Sequence, residues 1–280
     1  MIRWGILGVG VAGQARARAI RDDPRATPGM GYRGEPTSVG FQSASSAAEV
    51  IAGSDAVAVC APDAHHPELV EAALLAGCHV LCEFPLAPTA AEARRLLALA
   101  ARSGRVLHVE HIELLGGAAR FWRARQPQIL SGRLSFTSSR SGTPPALGNL
   151  ARLHRIIDAV GLPTALRVDC RGPGVLQGAL RFGRAEVALD FRFADDLPRV
   201  TELTLQTAEA TLSQHNRAVT VDGQPVPLDP VGGLFLADQL HASARILDGT
   251  PPYLSDERLV AALSLVEALD LSPLHDWVGV

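Results

Sequence analysis

The order of its elements predicts that this 280-residue chain is an α/β protein in two parts. An apolar strand at Ile2 to Leu7 runs into a glycine-rich turn and a helix, and strands then alternate with helices as far as residue 111. From residue 112 the apolar period falls to two. The expectation is a doubly wound parallel sheet over 1–111, followed over 112–280 by an α+β domain with an open-faced antiparallel sheet.

The first strand leads into Gly8-Val9-Gly10-Val11-Ala12-Gly13, and Gln14 to Arg21 follows with helical period. Strand, G-x-G-x-x-G, helix is the dinucleotide-binding fingerprint of a Rossmann-type domain. Gly8 permits the tight turn, Gly10 lets backbone approach a pyrophosphate, and Gly13 lets the helix pack on the strand. Val11 and Ala12 stand at the helix start, where free N–H groups face an anion. The competing reading is a tight turn with no ligand.

Gly29 to Arg33 reads as a weak second strand. The crossover helix expected after it is missing, because Gly34 to Ser43 is short and rich in Gly, Pro and Ser. Ser46-x-x-Glu49 caps a short helix to Ala52, and Asp55 to Ala61 is a continuous apolar strand. A helix over 64–76 stops at Gly77, and strand 78–82 follows. Thr89-x-x-Glu92 opens a helix ending at Gly104, and strand 105–109 closes the set. Helices are then expected at Glu113 to Arg125 and Gly148 to Val160, with two more at about 232–247 and 255–270. Between them lie alternating strands, among them Leu166, Val168, Cys170 and Val187, Leu189, Phe191, Phe193. Asp222-Gly223 marks a hairpin.

A net charge of −3 and a pI near 6.3 argue against a nucleic-acid or anionic-membrane partner. With no leader pattern and no apolar run of membrane length, the expected location is cytoplasmic. Cys78 and Cys82 share a strand and lie roughly 13 Å apart, too far for a disulfide. The chain contains no lysine, so Schiff-base chemistry and a lysine acid are excluded.

Arg33 ends the second strand, where the adenosine ribose is read; an arginine there favours a 2′-phosphate, so NADPH is expected, with NADH as the alternative. The loop Ala61-Pro62-Asp63-Ala64-His65-His66 and the loop Glu83-Phe84-Pro85 follow strand ends that border a nicotinamide. The cofactor-facing candidates among them are Ala61, Pro62, His66, Glu83 and Phe84, and each histidine also reads as a plain helix-start residue. His108-Val109-Glu110-His111-Ile112-Glu113 lacks helical H-x-x-x-H spacing, so no metal site is expected. Arg133, Arg167, Arg171 and Arg192 fall by alternation on the polar sheet face, and each also reads as an ordinary solvated arginine.

The order of the first half resembles the glucose–fructose oxidoreductase and inositol dehydrogenase superfamily. Its sugar dehydrogenases carry Glu-Lys-Pro where this chain has Glu83-Phe84-Pro85, and an Asp-x-x-x-His pattern where it has Asn149-Leu150-Ala151-Arg152-Leu153-His154. Lysine-assisted sugar oxidation is therefore not expected. Gly104 to Gly117, GRVLHVEHIELLGG, is similar to the signature of the biliverdin reductases within that superfamily, whose strand motif is commonly Glu-Tyr-Pro. Ala151-Arg152-Leu153 echoes their Ser-Arg-(Ile/Leu) helix.

The resemblance implies hydride transfer from NADPH to the central methine carbon of a bilin. Arg152 is then the expected catalytic cation, and Glu110 and Glu113 hydrogen-bond pyrrole or lactam N–H groups; pairing with arginines is the other reading of both glutamates. A homodimer through the open sheet face is the expected assembly. The rivals are a reductase of another conjugated or carbonyl substrate and a non-catalytic nucleotide sensor.

Overall fold

The computed structural model describes residues 1–139, 144–230 and 232–280. Two compact units form: Met1–Leu115 with Val231–Asp256, and Gly116–Pro230 with Glu257–Val280.

The first unit runs β1 (Ile2–Val9), α1 (Val11–Asp22), β2 (Ala26–Gly34), β3 (Gln42–Ser43), α2 (Ala47–Ala52), β4 (Ala56–Val59), α3 (His66–Leu75), β5 (His79–Cys82), α4 (Ala90–Ser103) and β6 (Leu107–Val109). All pairings in its sheet are parallel, in the order β3-β2-β1-β4-β5-β6. Strand order reverses between β1 and β4, which puts the ligand crevice of this fold outside their carboxyl ends. Trp4, Ile6 and Ala56 through Val59 are wholly buried, as a sheet covered on both faces demands. Between β2 and β3 the crossover is one 3₁₀ turn, Pro36–Val39. Val39 and Phe41 fill the core beside Trp4 and Ile20 where a longer helix would otherwise pack. Both capping boxes form: Ser46 Oγ accepts from the Glu49 N–H and Thr89 Oγ1 from the Glu92 N–H.

The second unit contains α5 (Gly117–Arg125), β7 (Ile129–Ser138), α6 (Pro145–Gly148), α7 (Leu150–Val160), β8 (Ala165–Gly172), β9 (Val175–Phe182), β10 (Ala185–Phe193), β11 (Val200–Thr207), β12 (Thr211–His215), β13 (Ala218–Val221) and β14 (Gln224–Pro225). Helix α8 (Leu234–Asp248) then belongs to the first unit, and α9 (Asp256–Leu271) and β15 (Trp277–Gly279) finish the second. Its nine-stranded sheet runs β14-β13-β12-β11-β7-β10-β9-β8-β15. Every pair is antiparallel except β7 with β10, so the expected antiparallel sheet is mixed. Leu134, Phe136, Val187, Leu189 and Phe191 line the buried face, and Arg133, Ser135, Asp190 and Glu202 the other.

Several expectations need correction. The helix expected from Glu113 breaks at Gly116, with a 3₁₀ turn at Ile112–Leu115 before α5. The helix expected from Gly148 breaks at Asn149, whose side-chain N–H donates to the Pro145 carbonyl. A bulge between Val168 and Cys170 reverses the alternation of β8, so Arg171 lies on the covered side and donates to the Leu269 and Ser272 carbonyls. The boundary expected at 111/112 falls at 115/116, and α8 returns to the first unit because its polar residues complete that unit's interior. Asp238, Gln239 and Ser243 of α8 are wholly buried, and Ser243 donates to Asp23. Strand β15 was not anticipated. The four cysteines are free thiols, and no helix among the described residues is long and apolar enough to cross a membrane.

Candidate active site

The turn after β1 has the geometry a dinucleotide requires. Gly8 has φ 94°, and a Cβ there would meet the Cys60 carbonyl oxygen at 2.7 Å. A Cβ at Gly13 would strike the Gly8 carbonyl oxygen at 2.0 Å, so only glycine lets α1 sit this close to β1. At Gly10 a Cβ would meet nothing within 4 Å, so that face of the turn is open. Gly10 caps α1 without a side-chain hydrogen bond, and Val11 is exposed beside the helix N–H groups. These residues fit a pyrophosphate. Arg33 is exposed at the end of β2 with φ 63°, its guanidinium over the Tyr32 ring and its neighbour Gly34 paired with Val9.

The loops after β4 and β5 are tied together by His66. Its Nδ1 lies 2.7 Å from the Pro85 carbonyl oxygen and its Nε2 2.8 Å from that of Ala61. The ring is wholly buried. His66, expected to face a cofactor, therefore braces the two loops from behind, while Pro62 is exposed and Ala61 and Phe84 half-buried. The Phe84 ring stacks on His111, with centroids 4.5 Å apart and planes at 18°.

Beneath these loops lies a buried charge cluster. Arg16 of α1 is wholly buried, and its Nη2 donates to Asp238 Oδ2 at 2.6 Å. The same guanidinium reaches within 3.8 Å of Glu83 and 3.9 Å of Glu110. Asp238 Oδ1 accepts from Tyr253 at 2.6 Å and pairs with His108 Nε2 at 2.8 Å, and Tyr253 oxygen accepts the His111 N–H. Burial alone would raise the Asp238 carboxyl, yet Arg16, His108 and Tyr253 hold it well below the usual carboxylate range. Glu110 behaves oppositely: burial first, then its hydrogen bond to Glu83 and that group's charge, push it well above the ordinary value. Burial and the hydrogen bond to Glu83 thus favour the protonated form of Glu110, and Glu83 is the more exposed side chain of the two. Cys60 Sγ lies 3.6 Å from Glu83 Oε1, and burial raises its thiol well above the usual range. Glu113 sits half-buried on the 3₁₀ turn after β6. No group of metal-holding residues occurs among the described residues, and His108, weighed as a ligand, is taken by Asp238 and Arg245.

Arg152 belongs to the second unit, on α7. Its guanidinium lies over the Phe136 ring, 3.4 Å from the centroid, and donates to Thr201 Oγ1 and the Gly148 carbonyl. Asp158, on the same helix, binds Arg123 and Arg258. On the exposed sheet face Arg133 and Arg192 pair with Asp190, and Arg167 with Asp169. Sequence reading missed Arg16, Asp238 and Tyr253. A signal for the first was present: Arg16 interrupts the buried stripe Gly13, Ala17, Ile20 of α1.

Comparison with known proteins supports an oxidoreductase with an NAD(P)-binding fold. Residues 2–111 match the model of the oxidoreductase family with an NAD-binding Rossmann fold, and they are that domain. Biliverdin reductase A of Mus musculus is 31% identical over 173 residues, 56% of this chain and 57% of the mouse protein. The chain thus spans just over half the length of that relative. The crystal structure of Synechocystis biliverdin reductase with biliverdin and NADP⁺ superposes with a TM-score of 0.83 at 26% identity, covering 96% of this chain and 98% of that one. UDP-N-acetylglucosamine 3-dehydrogenase of Acidithiobacillus ferrooxidans reaches 0.84 at 17% identity, a likeness of fold alone, with 96% of each chain covered. Over residues 2–111 the chain matches that oxidoreductase family, and in sequence and fold it is similar to the biliverdin reductases.

Proposed function

We propose that the protein is an NAD(P)H-dependent reductase of a linear tetrapyrrole, taking biliverdin to bilirubin. The observation that carries this reading is the placement of Glu83 and Glu110 together beside the buried Arg16, at the same sheet end as the glycine turn, in a chain without lysine. A bound nicotinamide supplies the hydride. Gly8, Gly10 and Gly13 with the N–H groups of Val11 and Ala12 bind the pyrophosphate, and Arg33 takes a 2′-phosphate, which favours NADPH over NADH. Phe84 has no hydroxyl to donate, so it packs. Glu110 stores the proton that must follow the hydride, and Glu83 passes it outward to a pyrrole nitrogen. Glu113 accepts a pyrrole or lactam N–H, and Arg152 stabilises negative charge developing on the substrate. The Synechocystis match supports the bilin, since that protein was crystallised with one.

The test is spectroscopic. Protein, NADPH and biliverdin should show loss of the long-wavelength bilin band and growth of a bilirubin-like band. Glu110→Gln should slow this by about 10²-fold or more with NADPH affinity unchanged. Cofactor binding without turnover of any bilin would transfer the reading to another conjugated or carbonyl substrate.

A further inference from the structure

Arg16 is an unusual residue for the middle of the helix that follows a glycine turn. It is a wholly buried cation with three carboxylates around it, contributed by α8 and by the chain just beyond β5 and β6. We propose that Arg16, tethered by Asp238, is the positioning residue that sets how tightly the Glu83–Glu110 pair holds its proton. The proposal rests on the acid role assigned above to Glu110.

The geometry separates the two jobs of the guanidinium. One edge is fixed: Nη2 donates to Asp238 at 2.6 Å and Nη1 to the Phe235 carbonyl at 3.3 Å. Asp238 is itself held by His108 and Tyr253, so the cation has little freedom to follow the glutamates. Toward Glu83 and Glu110 the separations are 3.8 and 3.9 Å, beyond hydrogen-bond length. The Arg16 Nε–H has no hydrogen-bond partner. Arg16 therefore acts on the acid pair through charge, in a buried setting where charge is weakly screened.

The charges facing the pair can be named. From α1 comes Arg16, from the loop after β4 the Cys60 thiol and from the end of β5 the Cys82 thiol, both pushed up by burial, and from α8 Asp238. Behind Asp238 stand His108, kept from charging first by burial and then by Arg245 and Arg16, and Tyr253, which burial and Asp238 keep protonated. One cation among three carboxylates leaves excess negative charge, and the pair relieves it by keeping one proton. Without Arg16 the pair would hold that proton too firmly to release it. Without the Asp238 charge Arg16 would favour the ionised pair and the proton would be lost early.

Two substitutions should therefore move the same titration in opposite directions. The readout is the infrared carbonyl stretch of a protonated carboxylic acid in the cofactor-free protein, assigned by its loss in Glu110→Gln. Arg16→Met should raise the midpoint by about 1–3 pH units, and Asp238→Asn should lower it. The acid limb of kcat/KM for bilin reduction should follow both shifts, while NADPH affinity stays constant. If Arg16→Met does not fold with Asp238 unpaired, the double variant R16M/D238N carries no buried lone charge and should lie above D238N alone. An Asp238→Asn midpoint that stays in place or rises would overturn the proposal. Opposite midpoint shifts in a protein that reduces no bilin would keep the role of Arg16 and reject the substrate.

Discussion

Asp238 and Asp190 are each held by three side chains, yet the two sites differ in kind. Asp238 receives Arg16, His108 and Tyr253; Asp190 receives Arg133, Arg192 and Gln177. Asp238 is fully buried, and two of its partners lie 222 and 130 residues away in sequence. Asp190 has a side chain 14% exposed, and its partners stand on its own strand and on the neighbouring strands β7 and β9. Burial opposes ionisation at both, and at both the partners prevail and lower the carboxyl. The difference lies in the alternative open to each group. An Asp190 partner that loses its bond turns to water, whereas an Arg16 that loses Asp238 keeps a charge with no water to turn to. A count of ion pairs is therefore a poor guide to what holds this protein together.

The comparison breaks or stands on stability measurements. The largest effect expected is from Asp238→Ala, which strands Arg16 and should cost about 3–5 kcal/mol in urea unfolding. A loss as small as that of an exposed pair would erase the distinction.

His154 extends the comparison into the second unit. Burial first, then Arg258 and Arg123, lower its pKa from 6.5 to about 4, against the pull of Asp158. Its folded pKa lies below its unfolded one, so the unfolded chain takes up the proton first as pH falls. Stability should therefore decline between about pH 6.5 and about pH 4, by roughly 3 kcal/mol in all, and level off below. His154→Gln should flatten that stretch of the stability–pH curve; an unchanged slope would assign the decline to other groups.

The smallest effect belongs to Asp190→Ala, expected to cost about 1 kcal/mol or less in the same unfolding assay and to shrink further in high salt. A cost matching Asp238→Ala would show that the exposed face carries a coupled network after all.

What the sequence determined by itself is local. The glycines at 8, 10 and 13, the two capping boxes, the apolar run at 55–61, the Asp222-Gly223 turn with both residues at positive φ, and the missing crossover helix after β2 are all legible within a dozen residues. Each follows from backbone sterics or from the period of side-chain burial, which neighbours along the chain dictate. Glu83 and Glu110 were legible as candidates because each follows a strand that ends at the ligand crevice. What the tertiary structure decided is which groups share an environment. One bulge in β8 turned Arg171 from the open face to the covered one, and α8 crossed back to the first unit to bring Asp238 to Arg16. Neither carries a local signal of its partner, because the energy of a buried charge depends on what surrounds it in space. That is why the upward shift of Glu110 could be read only from the folded chain.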